Sequence, residues 1–134
     1  GQEDPFKIYG ADQTRAFCYI SDAAEGTVLA LENDLSDQEI YHMGSPEEIT
    51  IEELTKTVGK LMGYNGKYER ATTYPGSVSR RCPDISKSIK QLNYSPKISW
   101  KEGLKKTVSW YIDFYNSDLP IYSGGFKSPE ELSY

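Results

Sequence analysis

Two capping boxes constrain what this chain folds into. Thr50-Ile51-Glu52-Glu53 and Ser99-Trp100-Lys101-Glu102 each place a hydroxyl residue three positions before a glutamate, the pattern in which side chains satisfy the free amides of a helix start. Behind the first box, Ile51, Leu54, Val58 and Leu61 recur at helical spacing up to Gly63. Behind the second, Trp100, Leu104, Val108, Tyr111 and Tyr115 do the same and predict the longest helix. Asp22, with Glu25 three residues on, predicts an earlier helix with Ala24, Val28 and Leu31 as its buried stripe. Asp84 predicts a short one bearing Ile85, Ile89 and Leu92.

Short strand-like runs lie between these helices. Lys7-Ile8-Tyr9 and Ala16-Phe17-Cys18-Tyr19-Ile20 read as strands around the turn-rich 10–14 segment, and Ile40-Tyr41-His42-Met43-Gly44 as a buried strand ending in a glycine turn. A further strand is expected over 67–71, and a turn or loop over 75–79. The fold class is mixed α/β, with small sheets and helices. After Asn116 no period is visible, so 117–134 reads as a tail.

At 134 residues the chain is one domain. It is shorter than the roughly 250 residues that a dinucleotide-binding domain and a substrate domain need together. Its net charge of −5 lacks the basic surface that nucleic-acid binders use. No run approaches the roughly 20 apolar residues of a membrane helix, and the polar start Gly1-Gln2-Glu3-Asp4 is unlike a signal peptide. The cytosol is the expected compartment. One histidine and two distant cysteines, Cys18 and Cys82, make no metal spacing. His42 and both cysteines read as packing residues.

The motifs of chemistry are missing from this stretch. None of the eleven tyrosines has a lysine four residues on. Gly59-x-x-x-Gly63-x-x-Gly66 falls at a helix end, where the dipole is negative and repels phosphate. What remains are arginines near turns, Arg15 and Arg80-Arg81. Guanidinium groups grip phosphates by bidentate hydrogen bonds, and equally serve as solvated surface. Asp84 can cap its helix, contact a ligand, or do both.

Five blocks in order carry a resemblance. Pro5-Phe6-Lys7-Ile8-Tyr9-Gly10 with Gln13-Thr14-Arg15-Ala16-Phe17-Cys18-Tyr19-Ile20-Ser21-Asp22-Ala23 resembles the substrate-domain hairpin of NAD-dependent epimerase/dehydratases, the extended short-chain dehydrogenases that modify nucleotide sugars. Tyr41-His42-Met43-Gly44 resembles their last sheet strand, and Glu48–Leu54 the helix after it. Arg80-Arg81-Cys82-Pro83-Asp84-Ile85-Ser86-Lys87 resembles their second arginine block, and 92–104 their closing segment.

The resemblance implies a C-terminal, nucleotide-sugar-binding portion over 1–116, with the Rossmann domain mostly absent and 22–62 packed on that missing cofactor domain. It implies Arg15 and Arg81 on the diphosphate, Asp84 on the ribose, Lys7 and Tyr9 walling the base and its sugar, and Phe17 as a pocket aromatic. It implies a UDP- or dTDP-sugar as partner, NAD in the parent enzyme and none held by this chain alone. No catalytic or metal-binding residue is expected here, and the exposed faces imply self-association or a homodimer. The rival is a non-catalytic nucleotide-sugar-binding or assembly module.

Overall fold

The computed structural model describes residues 5–116. The chain order is β1 (Phe6–Tyr9), β2 (Thr14–Ala16), α1 (Ile20–Leu31), a 3-10 turn (Asp34–Ser36), β3 (Glu48–Thr50), α2 (Ile51–Leu61), β4 (Tyr68–Ala71), β5 (Arg80–Arg81), α3 (Ser86–Leu92) and α4 (Trp100–Asn116). The mixed α/β class with small sheets holds.

The expected hairpin does not form. β1 pairs in parallel with β4, while β2 sits between antiparallel β3 and parallel β5 in a second sheet. The reason lies in the turn between them. Gln13 N donates to Gly10 O at 2.8 Å, and the carbonyls of Ala11 and Gln13 accept the first amides of α2, Glu52 N at 3.0 Å and Ile51 N at 2.9 Å. A helix start thus occupies groups that a hairpin would need, and it satisfies amides no intrahelical carbonyl can reach. Thr50 completes that cap, its Oγ1 accepting from Glu53 N at 3.0 Å. In the box before α4, Ser99 Oγ accepts from Glu102 N at 3.3 Å.

α1 departs from expectation. It starts at Tyr19, whose carbonyl takes the amides of Asp22 and Ala23. Asp22 therefore does not cap it. Its carboxylate is buried and instead accepts Lys97 N at 3.0 Å and Ile98 N at 2.9 Å, pinning the segment after Pro96. The helix buries its Asp22–Gly26 side. A Cβ on Gly26 would stand 2.7 Å from Met43 Sδ and 2.9 Å from the Tyr94 ring, so only glycine allows this approach. The stripe of Ala24, Val28 and Leu31 lies on the opposite face and is exposed, Leu31 at 82%.

The strand expected at 40–44 is also absent. Its carbonyls find side chains rather than a neighbouring strand: Lys87 Nζ reaches Ile40 O (3.1 Å), Ser88 Oγ reaches His42 O (2.6 Å) and Tyr94 Oη reaches Gly44 O (3.0 Å). Ile40 itself is 80% exposed.

The core is small and gathers Ile8, Ala11, Ile49, Ile85, Leu92, Tyr94 and Trp100. On α4 the expected stripe holds at buried Trp100 but emerges at Tyr111 and Tyr115, which are exposed. There Trp110 stacks on Phe114 and Tyr111 on Tyr115. The expected tail at 117–134 lies outside the described residues.

Candidate functional site

The site is built on β2 and β5. Their parallel register sets Arg15 opposite Arg81 and Thr14 opposite Arg80. Because side chains alternate along a strand, the two pairs face opposite sides of the sheet, at a strand spacing of about 4.8 Å.

The two arginines of β5 have different partners. Arg80 Nε sits 2.9 and 3.1 Å from the Glu48 carboxylate oxygens and its Nη2 2.8 Å from Oε2, a forked pair. Thr14 Oγ1 donates to the same carboxylate. These hydrogen bonds, Arg80's first, hold the Glu48 carboxyl below its usual range, and Glu48 in turn raises Arg80. Arg80 is thus a strand-to-strand tie. The Arg81 guanidinium has no hydrogen bond or ion pair among the described residues. It lines an open depression of about 480 Å³ with Ala16, Arg80, Cys82 and Pro83.

Arg15 is half-buried and held in place. Its Nη1 donates to Thr14 O at 2.7 Å, and its Nη2 to Val78 O at 2.8 Å and Gln13 Oε1 at 3.1 Å. Asp84 follows β5 by three residues. Its Oδ1 accepts Ser86 N at 2.9 Å at the start of α3, and contacts to Ser86 keep its carboxyl below the usual range. The N-cap itself is Ile85, so Asp84 holds the first helical amide from one residue before the cap position. Phe17 stands just beyond β2, 37% exposed.

Lys7 and Tyr9 lie apart from this group, in the other sheet. They share one exposed face of β1, with buried Ile8 between them facing the core. Tyr9 stacks on Tyr74, ring centroids 5.3 Å apart and planes 19° from parallel. The 73–79 segment bridges the two sheets, touching Tyr9 through Tyr74 and Arg15 through Val78.

Sequence reasoning missed Gln13, Tyr74 and Glu48. Gln13 stands in the Gln-Thr-Arg block already singled out. Tyr74 and Glu48 carry no local signal, because their partners lie about 30 to 65 residues away.

The described residues do not form a dinucleotide cradle. The described helices are preceded by Tyr19, Thr50, Ile85 and Ser99, not by a glycine-rich turn. Gly59 serves packing: a Cβ there would collide with Tyr68 Oη at 1.9 Å. Among the described residues no group of histidine, cysteine, aspartate or glutamate side chains could hold a metal ion.

This arrangement defines part of the extended short-chain dehydrogenase fold. The UDP-glucuronic acid 4-epimerase of Bacillus cereus, solved in complex with UDP-glucuronic acid and NAD, superposes with a TM-score of 0.73 and 32% identity over 83% of this chain and 36% of that one. In sequence the chain is 39% identical over 119 residues to UDP-glucuronic acid decarboxylase 1 of Arabidopsis thaliana, covering 88% of this chain and 26% of that protein. It is 38% identical over 110 residues to UDP-glucuronate 4-epimerase of Thermodesulfobacterium geofontis, covering 81% and 34%. No family model matches. The homologues and structural neighbours of this chain are nucleotide-sugar epimerases, decarboxylases and dehydratases of the extended short-chain dehydrogenases. It spans between 26% and 34% of the length of these two curated relatives.

Proposed function

We propose that this chain is the C-terminal, nucleotide-sugar-binding portion of an NAD-dependent enzyme that epimerises, dehydrates or decarboxylates a UDP-sugar. The observation that supports it most is the register of Arg15 with Arg81 beside an Arg80 already committed to Glu48. Two guanidinium groups on one sheet face repel each other, and a diphosphate relieves that repulsion while accepting their hydrogen bonds. Lys7 and Tyr9 wall the base and its sugar, Phe17 adds an aromatic contact, and Asp84 accepts from ribose hydroxyls.

The chain's part in the reaction is grip and orientation, which turn binding energy into positioning. NAD, in such an enzyme, supplies the hydride-transfer chemistry. The 134 residues alone are proposed to be non-catalytic. The names and complexes of the relatives support this reading, as does the order of the five sequence blocks.

The exposed stripe of α1 and Ile40 are proposed to pack on a cofactor domain, and in its absence to drive self-association. Among the described residues no helix is long and apolar enough to cross a membrane. A cytoplasmic location is proposed from the overall composition.

The test is a calorimetric titration of UDP into the complete protein carrying this sequence. Arg15→Ala and Arg81→Ala are each expected to cost about 1.5–3 kcal/mol, the range of a hydrogen bond to a charged group. Unchanged affinity in both variants overturns the proposal. Turnover of UDP-sugars with NAD by the 134 residues alone overturns the non-catalytic part.

A further inference from the structure

We infer that Gln13 is a positioning residue, acting on the bound nucleotide through Arg15. This rests on the reading of Arg15 as a diphosphate contact.

Residues 72–80 are all exposed, so no core packing holds them. Apart from the Thr14–Ser79 strand bond, the stack of Tyr74 on Tyr9 and the Arg15–Val78 bond, the segment is held by one side-chain amide. Gln13 Nε2 donates to Thr73 Oγ1 at 3.0 Å and to Ser77 Oγ at 2.9 Å. Its Oε1 lies 3.1 Å from Ser77 Oγ and accepts from Arg15 Nη2 at 3.1 Å.

Chemistry fixes the sense of that amide. Arginine only donates, so the oxygen must face Arg15 and the nitrogen must face the threonine. Gln13 thus ties Arg15 to the segment with both ends of its amide. An arginine side chain is long and rotamer-rich, and binding to a loose one costs ordering entropy. Here three of its five N–H groups are already engaged, to Thr14 O, Val78 O and Gln13 Oε1, which leaves two for a ligand oxygen. Removing the amide frees the guanidinium, while the stack of Tyr74 on Tyr9 and the Thr14–Ser79 bond still hold the segment.

A double-mutant cycle on UDP affinity, run on the complete protein, separates this role from a general structural one. Gln13→Ala is expected to weaken UDP binding about three- to tenfold, the scale of one neutral hydrogen bond. Uridine, which carries no phosphate, is expected to bind unchanged. In the Arg15→Ala background the same substitution is expected to add no further loss. An unchanged UDP affinity in Gln13→Ala, an equal loss for uridine, or a loss that persists without Arg15 overturns the inference. If Arg15→Ala itself leaves UDP affinity intact, the diphosphate reading fails first and takes this inference with it.

Discussion

Arg15 and Arg81 stand opposite each other in the parallel ladder of β2 and β5, although they are 66 positions apart in sequence. The neighbouring arginine, Arg80, points to the other side and is neutralised by Glu48. One strand of two residues thus carries one structural and one available guanidinium.

This division predicts unequal mutants. Arg81→Ala is expected to weaken UDP binding about tenfold or more, while Arg80→Ala changes it less than threefold. Both variants should stay close to the parent in stability, since the Arg80–Glu48 pair is exposed to water and screened. Side-by-side titrations and urea melts read both quantities. Equal binding losses would show that the strand alternation does not sort the two roles.

Asp22 is the buried residue on which the closing segment depends. Its carboxylate accepts two main-chain amides that otherwise lie without a partner. Asp22→Ala is expected to destabilise the fold by about 2–3 kcal/mol, the cost of losing charged hydrogen bonds and stranding their donors. Asp22→Asn keeps an acceptor oxygen and should cost less. Urea denaturation gives the ranking, and an alanine variant as stable as the parent contradicts it.

Glu52 offers a pH test. Hydrogen bonds from Arg70 and then Lys56 hold its carboxyl down to about 2, from an ordinary value of 4.5. A depressed folded pKa means that its contribution is complete above the unfolded value and fades as pH falls. Stability linked to Glu52 should therefore disappear between pH 4.5 and about 2. Carboxyl carbon NMR should show its midpoint near 2, and Arg70→Ala should move that midpoint up. A midpoint at the ordinary value in the parent protein refutes the pairing.

The outward apolar face of α1 predicts association. Leu31 is 82% and Ile40 80% exposed. Sedimentation of the 134-residue chain is expected to show species larger than the monomer, and Leu31→Glu with Ile40→Glu should shift it towards the monomer. A parent chain that is monomeric at every concentration removes the case for this face as an interface.

Local rules made the two capped helices legible, because a cap and its helix sit within four residues of each other. They failed at α1, where the apolar stripe was real but faces outward. A hydrophobic period shows that a helix has an apolar side, not which neighbour that side meets. They failed again at 40–44. An extended apolar run reads as a strand, yet here its carbonyls are taken by Lys87, Ser88 and Tyr94.

The amino-acid sequence by itself determined the α/β class, the helix starts and the candidate arginines, because these follow from short-range spacing and side-chain chemistry. Only the tertiary structure decided that β1 and β2 part into different sheets, that Arg15 meets Arg81, and that Arg80 is tied to Glu48. Those outcomes depend on strand pairings between residues about 30 to 65 positions apart, and no local pattern encodes a register.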